Sequence, residues 1–254
     1  MVITTACSSS SKSTNETVPE EEPTEEPSLD TNIETLTPAQ HLLRASMALR
    51  GIRPSVEELQ AVQEDPATLE SFVDAYLNSE AFGETIKDLH NETLLLRAQN
   101  LIFNPVDILT DYSVAFTNQS LTDAPLRLIE NVVMNDRPYT EILTTDEVQV
   151  NGPVSTVWGL PYDGDGFEWQ TTGWNDSRPV AGILSSSMFF VRHRSAAQNF
   201  NRGRANAVSK ALLCYDFLSQ DIVVDGSIDL SDPDEVKNAV KENEACASCH
   251  STLD

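Results

Sequence analysis

Five residues near the end of the chain carry the strongest chemical signal: Cys246-Ala247-Ser248-Cys249-His250. This is the C-x-x-C-H spacing of covalent c-type haem attachment. Two thiols three positions apart on one helical turn can reach the two vinyl groups of one porphyrin. The imidazole that follows can reach the iron as proximal ligand. The pattern therefore points to haem c, with Cys246 and Cys249 as thioether residues and His250 on the iron. The chain has 4 Cys and 4 His in 254 residues. Random placement yields this pattern in roughly one such chain per thousand. Two plainer readings compete: a C-x-x-C disulfide or dithiol, and half of a metal site. Zinc takes four protein ligands, or three plus water. The remaining Cys7, Cys214, His41, His90 and His193 show no matching spacing. A thioredoxin-type pair belongs early in a βαβ unit, not at the end of a helical chain.

A sixth iron ligand would have to fold back from upstream. Met188 and His193 are the candidates, since the run Met188-Phe189-Phe190-Val191 suits a haem wall. Against this stand ordinary core packing for Met188 and a surface or capping role for His193. A ligand from a partner subunit, or an open position, stays equally open. His41 and His90 fall in expected helices without motif support. Arg192, Arg194, Arg202 and Arg204 could clamp propionates, but pairing with the chain's many carboxylates is the simpler use. Cys214 reads as a buried free thiol on a helix; a disulfide from it to a motif cysteine would compete with haem. Asp163-Gly164-Asp165-Gly166-Phe167-Glu168 resembles a calcium loop, but Phe167 stands where an acid is needed. Asp-Gly pairs favour a turn there.

The elements that must position these residues are mostly helical. Thr37-Pro38 opens a helix with Leu42, Leu43, Ser46, Met47 and Leu49 as its stripe, and Gly51 closes it. Ser55 and Glu58 form a capping box for the next. Asp65-Pro66 opens a third, with Leu69, Phe72, Val73, Tyr76 and Leu77. A long helix from about Ser79 carries Phe82, Ile86, Leu89, Leu94 and Leu96. Another follows Pro125, with Leu126, Ile129, Val132, Val133 and Met134. Residues 145–177 are rich in Gly, Pro, Trp and Thr without helical period, and read as an irregular region with room for a short hairpin. Helices return from Pro179. Residues 204–218 show Ala205, Val208, Leu212 and Tyr215 on one face. Asp232-Pro233 caps the last helix, with Glu235 in the capping-box place. That helix, with Val236, Val240 and Ala245 as a weak face, delivers Cys246 and His250. The expected organisation is a tether over 1–36, a helical domain over 37–144, the irregular region over 145–177 and a helical cytochrome c-like segment over 178–254.

The net charge is −24. Such a surface repels nucleic acid and anionic membranes and suits a basic protein partner. Residues 8–36 are Ser, Thr, Glu and Pro with almost no large apolar group, so they cannot offset their ordering entropy. No run of 18 apolar residues could span a bilayer. Met1-Val2-Ile3-Thr4-Thr5-Ala6-Cys7 followed by serines looks like the tail of a bacterial lipoprotein signal, with Cys7 as lipidation site. An incidental cysteine on a disordered terminus is the alternative.

Three segments resemble the planctomycete-type cytochrome-associated families of extracytoplasmic proteins, whose domains mostly have no assigned function. The first is Arg44-Ala45-Ser46-Met47-Ala48-Leu49-Arg50-Gly51-Ile52-Arg53-Pro54-Ser55 with Glu57-Glu58-Leu59, and Phe82-Gly83-Glu84 further on. The second is Val133-Met134-Asn135-Asp136-Arg137-Pro138-Tyr139-Thr140-Glu141-Ile142-Leu143-Thr144. The third comprises Arg178-Pro179-Val180-Ala181-Gly182-Ile183-Leu184, Arg202-Gly203-Arg204, Leu212-Leu213-Cys214 and Cys246 to Leu253. The resemblance implies an all-helical, secreted or lipid-anchored bacterial protein able to carry haem c, and no known reaction. It departs from the family where Tyr215 to Val224 replaces a proline-rich stretch, and the family continues past the position of Asp254. The expectation is an extracytoplasmic, one-electron-transfer protein of the periplasm or cell surface, with a basic redox partner. A haem-free secreted interaction protein with a Cys246–Cys249 disulfide is the rival, and a peroxidase-like or gas-binding site is the third reading. No hydrolase constellation stands out.

Overall fold

The computed structural model describes residues 35–97, 111–193, 202–219, 228–229, 231–244, 246–247 and 250. They are mostly helical. The first three helices are α1 (Pro38–Arg50), α2 (Val56–Glu64) and α3 (Thr68–Leu77). Thr37 and Gln40 cap α1 reciprocally, as Ser55 and Glu58 cap α2. Each box satisfies amide groups that the first turn leaves without partners. Gly51 ends α1 at φ 67, a left-handed conformation that glycine adopts without Cβ strain. Leu42, Val62 and Tyr76 form a small core there. Of the five residues of the expected α1 stripe, Leu42 and Ser46 are buried and Leu49 packs against this core, whereas Leu43 and Met47 are exposed.

Two longer helices make the main body, α4 (Glu80–Leu94) and α5 (Val114–Met134). Ile86 and Leu94 pack on Leu126, Ile129 and Val132. Leu96, expected on α4, lies just past its left-handed cap Leu95 and is still buried. Gly83 lets α5 come close, since a Cβ there would meet the Glu130 carboxylate. Beside it Lys87, 1% exposed, holds Glu84 at 2.7 Å and Glu130 at 3.0 Å. Arg97 bridges Asp88 at 2.6 Å and Asp123 at 2.8 Å. α5 corrects one expectation: it does not begin after Pro125 but contains it, twelve residues in. Proline lacks the amide and crowds the preceding turn, yet both halves of α5 bury apolar residues. Leu121 and Ala124 belong to one core, Leu126 and Leu128 to another. Continuous packing outweighs the local break.

The region expected to be irregular is more ordered than its composition suggests. After the short α6 (Glu141–Thr144), strands β1 (Glu147–Val150) and β2 (Gln170–Gly173) pair antiparallel, Glu147 opposite Gly173 and Val150 opposite Gln170. Between them stands a helix that the lack of period concealed, α7 (Gly152–Trp158). Its signals were local: Asn151 accepts from the Val154 amide at 3.3 Å, Pro153 sits in the first turn, and Gly159 closes the helix at φ 66. Asn151, fully buried, also donates to Ser120 Oγ at 2.8 Å, which ties the sheet to α5. Val148, Val150, Val154, Leu160 and Met188 complete the second core. The acidic loop is a turn. Asp165 accepts from the amides of Phe167 and Glu168, so its carboxylate is held by the backbone.

The last described elements are a 3-10 turn (Gly182–Ser185), α8 (Ser187–Arg192), α9 (Arg202–Leu213), a second 3-10 turn (Phe217–Ser219) and α10 (Pro233–Glu242). Ile183 and Phe189 join the α4–α5 core, with Ala207, Val208 and Ala211 of α9 against it. This face differs from the expected one: Val208 is shared, but Tyr215 lies beyond the helix and is exposed. The cores run across the segment limits at 144 and 177. By contrast α10 has no buried residue.

Candidate functional site

The C-x-x-C-H segment begins where α10 stops. Asp232 caps α10 through its carboxylate, which accepts from Asp234 at 2.8 Å and Glu235 at 3.4 Å. Glu235 does not close a box on Asp232; its carboxylate accepts from the Asp229 amide at 2.8 Å. α10 does not itself reach the motif, as its apolar pattern implied. Asn243 ends it with an extended backbone, φ −83 and ψ 120. The same residue then starts a new helical stretch: its side-chain oxygen accepts from the Cys246 amide at 3.3 Å and its carbonyl from Ala247 at 2.8 Å. Cys246, Ala247 and His250 are all helical. Cys246 and His250 are partly buried, and Cys246 carries a free thiol. Cys249 and Cys7, the other thioether and lipidation candidates, lie outside the described residues, as does Arg194.

Cys214 corrects the free-thiol reading. It is disulfide-bonded, exposed, and placed just after α9 in a left-handed conformation, φ 55. Its helix assignment rested on an apolar period that continues to Tyr215, whereas the backbone turns at Cys214. The turn folds back on α9: Tyr215 N–H donates to the Ser209 carbonyl at 3.2 Å, and Ser209 Oγ to the Tyr215 carbonyl at 2.8 Å. Asp216 meets Asn206 at 3.1 Å and Lys210 at 3.0 Å.

Each proposed sixth ligand has partners of its own. Met188 is 1% exposed and packs with Leu121, Val150 and Val154. Ligation would mean withdrawing it from that core. His193 follows α8, and its Nε2 lies 3.3 Å from the Leu94 carbonyl. A carbonyl only accepts, so this contact makes Nε2 the protonated nitrogen and leaves the lone pair on Nδ1. Burial holds the His193 pKa below its ordinary value, with the Arg192 charge adding to that effect and the Leu94 bond opposing it. His90 is likewise committed, Nδ1 to the Ile86 carbonyl and Nε2 to Tyr139 Oη, both at 2.7 Å. His41 is exposed on α1. Arg192 donates to the Leu95 carbonyl at 3.1 Å and Arg204 to the His193 carbonyl at 3.2 Å. Arg192 thus fastens α8 to the end of α4, and Arg204 fastens α9 to the end of α8. No residue from 228 to 250 belongs to any of the three cores found among the described residues.

The face around α10 is acidic. Asp229, Asp232, Asp234, Glu235, Glu242 and Glu244 are exposed, against Lys237 and Lys241. The Ser231 hydroxyl and amide hold Asp229 below the ordinary carboxylate pKa. Elsewhere, a cleft with an interior of about 10 Å³ is lined by Pro125, Leu128, Glu147, Trp158, Trp174 and Ile183. That is room for about one water, not for a ligand. Sequence reasoning missed its frame: Trp158 and Trp174 lie 5.3 Å apart, and Arg178 stacks at 3.6 Å over Trp174. Arg178 pulls the Asp176 carboxyl down to about 2. The spacing of Asp176 and Arg178 was the available signal. Among the described residues no cluster of three or more His, Cys, Asp or Glu is arranged to hold a metal ion, and no helix is long and apolar enough to cross a membrane.

The donor set of the motif fits covalent haem in part. Cys246 is a free thiol and is partly buried, as is His250. The disulfide at Cys214 is the conflicting feature, because it consumes one further cysteine of the four. No family model, no curated protein and no solved structure matches the chain.

Proposed function

We propose that this chain is an extracytoplasmic c-type cytochrome-like protein, related to the planctomycete-type cytochrome-associated families. In this reading haem c is held by thioethers to Cys246 and Cys249, with His250 as proximal ligand. The observation that carries it is the C-x-x-C-H spacing, with the Cys246 thiol free. The group would supply a one-electron couple. The chain's own residues set its surroundings. Asn243 orients the start of the segment by accepting from the Cys246 amide, and His250 would supply the imidazole. The exposed carboxylates of 229–244 steer a basic redox partner to this face. The sixth position is taken by Met188 or His193, by a partner, or is left open; Met188 would have to leave its core to serve. A Cys7 lipid anchor at the periplasmic or cell-surface membrane belongs to the same proposal.

The rival reading is a haem-free surface module. Its expected Cys246–Cys249 disulfide is absent, since Cys246 is free. The Cys214 disulfide is the one observation in its favour.

The test is an absorption spectrum in alkaline pyridine, on protein made in a host with c-type haem maturation. A haemochrome that survives denaturation, and is missing from Cys246→Ala/Cys249→Ala, is the expected result. A colourless wild-type protein with intact cysteines would overturn the assignment.

A further inference from the structure

His90 and Tyr139 form a hydrogen-bonded chain that the haem reading does not use. His90 lies on α4, and Tyr139 in the connection between α5 and α6. His90 Nδ1 meets the Ile86 carbonyl and Nε2 meets Tyr139 Oη, both at 2.7 Å. A carbonyl only accepts, so the neutral imidazole carries its proton on Nδ1 and its lone pair on Nε2. The Tyr139 hydroxyl therefore donates to Nε2. The two rings lie 5.9 Å apart at 40°. The order is carbonyl, imidazole, phenol: a base whose tautomer is set from behind, in contact with an O–H. Partial burial raises the Tyr139 pKa above its ordinary value, so the phenol keeps its proton at neutral pH.

We propose that Tyr139 is a redox-active tyrosine: a cationic one-electron oxidant takes an electron from its ring while its hydroxyl proton passes to His90. The inference does not rest on the haem reading, and either can fail alone. Three observations carry it beyond a structural tie. First, Tyr139 is 55% exposed, so an outer-sphere reagent can reach it although its hydroxyl is bonded to a partner. Second, electron loss turns a phenol into a strong acid, and a positioned base already lies 2.7 Å from its oxygen to take the proton. Third, the imidazolium left behind is a cation in a chain of net charge −24, which favours it and draws cationic oxidants to the surface.

The step balances in electrons and protons. The oxidant gains one electron. Tyr139 loses one electron and its O–H proton, and becomes a neutral phenoxyl radical. His90 Nε2 gains that proton, while Nδ1–H stays on the Ile86 carbonyl. The hydrogen bond survives with its direction reversed, Nε2–H donating to the phenoxyl oxygen. A one-electron donor restores the phenol as the proton returns. Without the imidazole the proton would pass to water, a much weaker base, and oxidation would slow.

The experiment uses the full chain, made without haem maturation, and photogenerated tris(bipyridine)ruthenium(III) as a substoichiometric oxidant. A nitroso spin trap marks the radical, and peptide mass spectrometry locates the adduct. Tyr215, 44% exposed with its ring edge-on to Phe217, is the internal comparison. Wild type is expected to carry the adduct at Tyr139 at roughly threefold or more the level at Tyr215. The amide of His90→Gln can hydrogen-bond but takes no proton, so labelling at Tyr139 is expected to fall to the Tyr215 level or below. Labelling at Tyr139 equal to or below that at Tyr215 in wild type overturns the redox assignment. So does unchanged labelling at Tyr139 in His90→Gln. Either result leaves the pair as a structural tie between α4 and the α5–α6 connection. The first comparison needs no variant, so misfolding of His90→Gln cannot hide the answer.

Discussion

At the scale of single residues, Lys87 shows what the sequence pattern underrates. Its ammonium is buried to 1% exposure and is tolerated because Glu84 and Glu130 take it up at 2.7 and 3.0 Å. Glu130 is itself only 19% exposed. Removing one partner of a buried pair leaves the other uncompensated, which costs far more than the net value of the pair. Lys87→Met is expected to lower the unfolding free energy by about 2–4 kcal/mol in urea titration, somewhat eased because Arg127 also lies near Glu130. Adding Glu130→Gln should recover part of the loss; further destabilisation by the second change would refute the explanation. The same scale bears on the two candidate iron ligands. Met188 would have to leave an apolar core to ligate, whereas His193, with its Nε2–H on a carbonyl, keeps a lone pair on Nδ1.

At the scale of elements, two similar N-caps have different consequences. Ser55 accepts from the Glu58 amide at 3.1 Å at the head of α2, which contributes Val62 to a core. Asp232 caps α10, which contributes nothing. Loss of either cap costs its helix about 1 kcal/mol. Ser55→Ala should therefore lower global stability by about that amount. Asp232→Ala should leave the melting temperature unchanged and speed amide hydrogen exchange only within 233–242, because local opening there is uncoupled from the cores. A lowered melting temperature in the second variant would mean that α10 packs more firmly than its exposure shows.

At the scale of the whole molecule, the net charge of −24 is the governing quantity. Self-repulsion at this density opposes compaction, and it weakens as salt shortens the Debye length to about 10 Å at 0.1 M. Raising sodium chloride from low millimolar to about 0.15 M should raise the melting temperature measured by circular dichroism. The local pairs of Arg97 and Arg137 pull the other way, but each acts within one cluster. A fall in melting temperature would show that these pairs outweigh the general repulsion.

Much of this was legible in the sequence where the physics is local. The Thr37, Ser55, Ser79 and Asp232 caps, the Gly51 stop and the mostly helical class follow from side-chain chemistry over three or four residues. The C-x-x-C-H spacing is local in the same sense. What tertiary structure decided needed partners distant in sequence. Pro125 stands inside α5 because two cores meet that helix. α7 forms where composition signalled only loop, since Asn151 is locked against Ser120. Cys214, whose helical period suggested a buried thiol, is instead an exposed disulfide residue, because the chain turns left-handed there. A periodic pattern states which residues could share a face, but only packing determines whether that face is covered and by what.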